Sequence, residues 1–132
     1  MTFVDSSFWI AQVISGDAHH TQAKALEDVF SRQSLVTSRP VVAETWTFLR
    51  RKTGHSRAMT WLDQLEATQG LAVHRVPEEI EDEAWAWLRV HDERAYSFVD
   101  ATSFALMRKL RIKEALAFDG DFAAAGFVEL RP

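Results

Sequence analysis

Short apolar runs alternate with longer stretches of helical spacing along the whole chain. Phe3 and Val4 form the first run, which ends at Asp5. Leu35–Thr37, Leu71–Val76, Ala115–Phe118 and Phe127–Leu130 are the others, each short and bounded by polar residues or glycine. They predict a sheet of four to five strands. Between them the apolar positions recur three and four apart. Ser6 or Ser7 is placed to cap a helix carrying Phe8, Trp9, Ile10, Val13 and Ile14, with Gly16 as its stop. Asp17 is placed to cap a second, with Ala25, Leu26, Val29 and Phe30 on its apolar face. Pro40 suits the first turn of a third, where its missing N–H costs nothing. That helix carries Val41, Thr45, Phe48 and Leu49 and runs out in Arg50, Arg51 and Lys52 before Gly54. A fourth carries Ala58, Trp61, Leu62 and Leu65 and closes at Gly70. Pro77 opens a fifth with Ile80, Ala84, Trp87 and Leu88. Ser97 and Asp100 then form the S-x-x-D pattern of a capping box. The helix they start is apolar nearly all round, through Phe98, Val99, Ala101, Phe104, Ala105, Leu106 and Met107, as a central buried helix is.

Strands alternating with helices predict the α/β class, a parallel sheet with helices on both faces. The chain has 132 residues, and no linker, repeat or low-complexity tract divides it, so residues 1–132 read as one domain. Apolar residues make up 47%, enough for a core, and no apolar run is long enough to span a bilayer. The N-terminus lacks the basic start of a signal peptide. Cysteine is absent, which excludes a disulfide scaffold, a thiolate nucleophile and a Cys-based metal site, and is compatible with a cytoplasmic protein. Fifteen Lys and Arg against nineteen Asp and Glu leave a net charge of −4. A general nucleic-acid coat is excluded, but a nuclease with an acidic metal site is not, because the cation reverses the local sign.

The acids carry the chemistry. In open α/β sheets ligands bind beyond the carboxyl ends of the strands. Asp5 and Asp119 follow two of the runs, and Glu44 and Asp100 fall in the first turns of helices that start on the same edge. Two like charges ~4 Å apart repel by about 4 kcal/mol at an effective dielectric of 20. Four carboxylates converging on one rim therefore call for a counter-ion, and a hard divalent cation, Mg²⁺ or Mn²⁺, suits oxygen ligands. Such a centre hydrolyses phosphodiesters. Singly, each acid has an ordinary role: a cap, a dipole partner, or turn formers at Asp119 and Asp121 around Gly120.

Other features read as structure. Glu78, Glu79, Glu81, Asp82 and Glu83 complement the dipole of the helix after Pro77. His19 and His20 are adjacent and diverge on a helix, which argues against zinc. Arg50, Arg51, Lys52 and Arg57 form a solvated basic face that could also contact RNA phosphates near Glu44.

The segments VDSS, VVAETWTFLRR, SFVDATSFALMRKL and ALAFDGDF followed by GF resemble, in order and spacing, the PIN-domain family, and within it the VapC-type ribonuclease toxins of bacterial toxin–antitoxin pairs. The resemblance covers essentially the whole chain. It implies a compact three-layer α/β/α sandwich and endonucleolytic cleavage of RNA with Mg²⁺ or Mn²⁺. The four family acids fall on Asp5, Glu44, Asp100 and Asp119. The small polar residue after the first falls on Ser6, with Ser7 a second candidate. Two places after the last acid stands Asp121, where many relatives have His or another polar residue. On this reading Asp5, Asp100 and Asp119 hold the cation and Glu44 orients or deprotonates the attacking water. Thr102 and Ser103 are lesser candidates for phosphate contacts. The resemblance also implies a small antitoxin. Trp9, Phe30, Trp46 and Phe48 are candidates for an apolar groove that receives it, and the wealth of large apolar residues on helices predicts a homodimer.

Three other readings compete. A phosphoacceptor signalling module would need a Lys after a late strand, and none follows Lys113. A phosphatase built on Asp119 and Asp121 has too little chain downstream to complete its site. A non-catalytic binding domain would use the same acidic rim to hold a basic partner.

Overall fold

A computed structural model describes residues 1–132, the side chain of Phe30 excepted. The chain order is β1 (Thr2–Val4), α1 (Ser6–Val13), α2 (His20–Ala25), α3 (Val29–Arg32), β2 (Leu35–Ser38), α4 (Arg39–Thr53), α5 (His55–Glu66), β3 (Leu71–His74), α6 (Glu78–Val90), α7 (Phe98–Leu110), β4 (Glu114–Leu116), α8 (Asp121–Ala124) and β5 (Val128–Glu129). The five strands pair in parallel in the order β3-β2-β1-β4-β5. With right-handed crossovers, α1 to α5 cover one face and α6 to α8 the other. The result is the three-layer α/β/α sandwich that the segments implied.

Strand order reverses beside β1: β2 and β3 extend the sheet one way, β4 and β5 the other. The carboxyl ends of β1 and β4 therefore splay apart into the crevice where such sheets bind ligands. The register Phe3 opposite Ala115 and Val4 opposite Leu116 brings Asp5 and Asp119 to that crevice.

The core explains why these residues form these elements. Phe3, Val4, Leu35, Val36, Ala115 and Leu116 are buried on central strands, which read as unbroken apolar runs because both faces are covered. Helix α7 is buried from Asp100 to Met107. Phe104 meets Phe122 and Trp87 edge-on at 4.9 and 5.3 Å and stacks on Phe127 at 5.6 Å, which ties α7 to α8, to α6 and to the turn leading into β5. On the other face Val41, Thr45 and Leu49 are the buried stripe of α4, and Trp9 meets Trp61 edge-on at 6.2 Å.

Some boundaries differ from the sequence reading. The cap of α1 is Asp5 rather than Ser6 or Ser7: its Oδ2 accepts the N–H of Ser7 at 3.1 Å. The helix then ends at Val13, before Gly16. The stretch after Asp17 breaks into two short helices, and Ala25 is exposed while Ala23 and Leu26 are buried. The expectation for Phe30 lies outside the described residues. Helix α5 stops at Glu66, and Gly70, with φ +78°, belongs to the turn into β3. Strand β4 ends at Leu116, two residues early, because the next groups leave the ladder. The Ala117 carbonyl accepts from Arg131 and the Phe118 N–H donates to Ser7 Oγ.

Candidate active site

Asp5 leaves β1 and immediately caps α1, so its carboxylate is fixed at the sheet's carboxyl edge. Its N–H donates to the Leu116 carbonyl at 3.0 Å, which locks it to the end of β4. Oδ2 accepts both the N–H (3.1 Å) and the hydroxyl (2.7 Å) of Ser7. Oδ1 is buried and meets no donor among the described residues. The residue is 1% exposed. Burial first, then the charge of Asp119, pushes its carboxyl up to about 8, against the lowering effect of the Ser7 bonds.

Asp100 arrives from the capping box of α7. Its Oδ2 accepts the Ser97 N–H at 2.9 Å while Ser97 Oγ accepts the Asp100 N–H at 2.9 Å. The cap sets the direction of the side chain, and burial raises its carboxyl to about 6. Asp119 lies three residues past β4 and is raised by desolvation and by the neighbouring charge of Asp121. Asp121, the first residue of α8, donates its N–H to Asp119 Oδ1 at 3.1 Å. Each of Asp100, Asp119 and Asp121 offers a carboxylate oxygen within 4.8 Å of the other two. Asp5 stands outside that group of three, but Asp119 and Asp100 both act on its ionisation.

Glu44 sits in the second turn of α4, one turn later than expected, and reaches the rim through Ser6, whose hydroxyl donates to Glu44 Oε2 at 2.7 Å. The two serines after Asp5 thus divide the work: Ser6 holds Glu44 and Ser7 holds Asp5. Thr102 and Ser103 are not brought to the rim. Both are buried, and both donate to the Val99 carbonyl, at 2.7 and 2.9 Å. Arg50, Arg51 and Lys52 are exposed in the last turn of α4, with Arg50 about 9 Å farther along the helix axis than Glu44 at 1.5 Å per residue. Since α4 starts at the rim, they lie toward the other end of the sheet. Arg57, in the first turn of α5, is exposed as well.

One residue of this rim escaped the sequence reading. Arg94, in the loop 91–97 between α6 and α7, donates Nε to Asp121 Oδ1 at 2.8 Å and Nη2 to the Asp119 carbonyl at 3.2 Å. The sequence signal for it was modest: a polar loop leading into the capping box opens on the same rim, so a cation within it is a candidate.

The donor set fits a hard divalent cation. It is all oxygen, and it combines the buried, unpartnered carboxylate oxygen of Asp5 with the buried Asp100 and the exposed Asp119, all three carboxyls held above their ordinary range chiefly by desolvation. No helix among the described residues is long and apolar enough to cross a membrane.

Comparison with known proteins agrees with this fold. The PIN domain family matches residues 2–128. The chain is 52% identical, over 132 residues, to the 23S rRNA-specific endonuclease VapC20 of two Mycobacterium tuberculosis strains, covering 100% of this chain and 99% of that protein. It superposes on the crystal structure of M. tuberculosis VapC20, described as a sarcin–ricin loop cleaving toxin, with a TM-score of 0.92 and 50% identity over the full length of both chains. A full-length match in sequence and fold, with an acidic rim at the sheet's switch point, assigns the chain to the PIN-domain family as an endoribonuclease of the VapC toxin type.

Proposed function

We propose that the rim hydrolyses a phosphodiester of the large ribosomal RNA with Mg²⁺ as the resident cation and Mn²⁺ as its substitute. The observation that carries this reading is the buried, unpartnered Oδ1 of Asp5 beside Asp119 and Asp100. An ionised carboxylate in that position is costly unless a cation joins it. Asp5, Asp100 and Asp119 would hold the ion. When bound, it supplies Lewis-acid charge at the scissile phosphate. Glu44, aimed by the Ser6 hydroxyl, orients the attacking water and takes its proton. The ribosomal substrate, the sarcin–ricin loop in particular, is inferred from VapC20, and the match over both full chains supports it.

The partner of such a toxin is a small antitoxin in the cytoplasm. The expected groove is reshaped by the fold: Trp9 is 4% exposed and belongs to the core. Trp46 lines a groove of about 760 Å³ between α4 and α5, with Val42, Met59, Leu62 and Val73. Phe48 is 42% exposed on α4. An amphipathic helix of the antitoxin fits this groove. Exposed Trp85 and Val90 on α6 support a homodimer through that helix, and light scattering reads its mass.

The test is to incubate ribosomes with the protein and map the cut ends by sequencing. One discrete cut in the sarcin–ricin loop is expected with Mn²⁺ and none with chelator. Asp5→Asn, Glu44→Gln and Asp119→Asn should each lose cleavage by about a hundredfold or more while their melting curves stay cooperative. Unchanged cleavage in chelator, or in all three variants, contradicts the reading.

A further inference from the structure

Arg94 is a cation placed in the middle of an anionic rim. The fold makes specific room for it: a Cβ built at Gly120 would lie 3.2 Å from its Nη2, and Gly120 has φ +81°, so the turn after β4 is left bare where the guanidinium lies over it. The loop that carries it is anchored at both ends. The Tyr96 N–H donates to the Arg94 carbonyl at 2.9 Å, and Tyr96 packs edge-on against Trp87 at 4.8 Å and Phe104 at 5.8 Å. His91 stacks on Trp87 at 4.0 Å. Of the five guanidinium N–H groups, one on Nε goes to Asp121 and one on Nη2 to Asp119. The other three meet no acceptor among the described residues, and the side chain is 42% exposed. A guanidinium with one edge pinned and the other open, beside acids that would repel RNA, has the form of a phosphate clasp.

We infer that Arg94 binds a backbone phosphate of the RNA next to the scissile bond, and that Asp121 is its holder rather than a ligand of the cation. The inference rests on the ribonuclease reading above. It divides the rim in two. Asp5, Asp100 and Asp119 are left to the ion, and the open edge of the Arg94 guanidinium, held in place by Asp121, offers its free N–H groups to a substrate phosphate. Asp121 thereby takes a role distinct from that of Asp119, its neighbour two residues before.

The test uses the full chain and a fluorescently labelled RNA stem-loop of the sarcin–ricin sequence, with chelator present so that nothing is cut. Anisotropy gives the affinity across a salt series. Arg94→Gln should weaken binding about tenfold at low salt and make the slope of log K against log salt shallower by about 0.7, the loss of one phosphate contact. Arg94→Lys keeps the charge and should keep the slope. It also serves if the Gln variant melts early. Calorimetric titration with Mn²⁺ alone supplies the second reading: affinity should fall much further in Asp119→Asn than in Asp121→Asn. An Arg94→Gln variant with wild-type affinity and slope would reduce Arg94 to a pin for the turn and overturn the inference. So would a greater loss of Mn²⁺ binding in Asp121→Asn than in Asp119→Asn. Wild-type protein that neither binds this RNA nor cuts it with Mn²⁺ overturns the ribosomal-substrate reading, and the inference with it.

Discussion

Asp5 does two jobs that pull against each other. As the cap of α1 it must accept hydrogen bonds, and as a buried acid next to Asp119 it is costly to ionise. Its carboxyl moves from an ordinary 3.8 to about 8 on folding, so between those values the folded chain binds the extra proton. Stability falls with rising pH wherever the folded state holds more protons. This contribution is fully present below about pH 4 and is lost as the pH rises through about 8. Chelated protein should therefore melt at a lower temperature at pH 8 than at pH 5. Asp5→Asn should flatten that fall, and a melting series in both proteins reads it directly. An unchanged slope in the variant would place the pH dependence elsewhere. At this scale the four acids were legible from their positions after strands and in early helical turns. Arg94 was not, because its partner Asp121 lies 27 residues away, and only the β4–α8 turn brings the two together.

Among the elements, α7 joins core to site. Its first turn presents Asp100, its middle is buried on all sides, and the capping box fixes where it begins. Removing the ring of Phe104, which is fully buried among Trp87, Phe122 and Phe127, should cost about 3–5 kcal/mol. A denaturant titration of Phe104→Ala checks this. Asp100→Asn, which keeps the volume, should by contrast remain folded. A Phe104→Ala loss below 1 kcal/mol would mean that the helix is not the keystone described. All five strands and the box were readable, since short apolar runs on a doubly covered sheet and an S-x-x-D start leave local signals. The break between α2 and α3 was not. The periodicity continues through Leu26 and Val29, and only tertiary contacts decide that Ala23 rather than Ala25 joins Leu26 in the core. Thr102 and Ser103 misled for a related reason: on a fully buried helix a hydroxyl satisfies itself on the carbonyl three or four residues back.

In the whole molecule, the reversal of strand order beside β1 is what turns scattered acids into a centre. Asp5, Glu44, Asp100 and Asp119 reach one crevice from four crossovers, and Arg94 and Asp121 close its side. The site thus depends on the complete sheet, and the complete sheet tolerates the crowded charge only at a cost that a cation removes. Binding to the native state alone stabilises by about 2.7 kcal/mol at one hundred times the dissociation constant. The most direct measurement is the melting temperature of metal-free protein before and after saturating Mn²⁺, in wild type and in Asp100→Asn. Wild type should rise by several degrees and the variant by much less. No rise in wild type, or an equal rise in both, would contradict a cation held on this rim by Asp100.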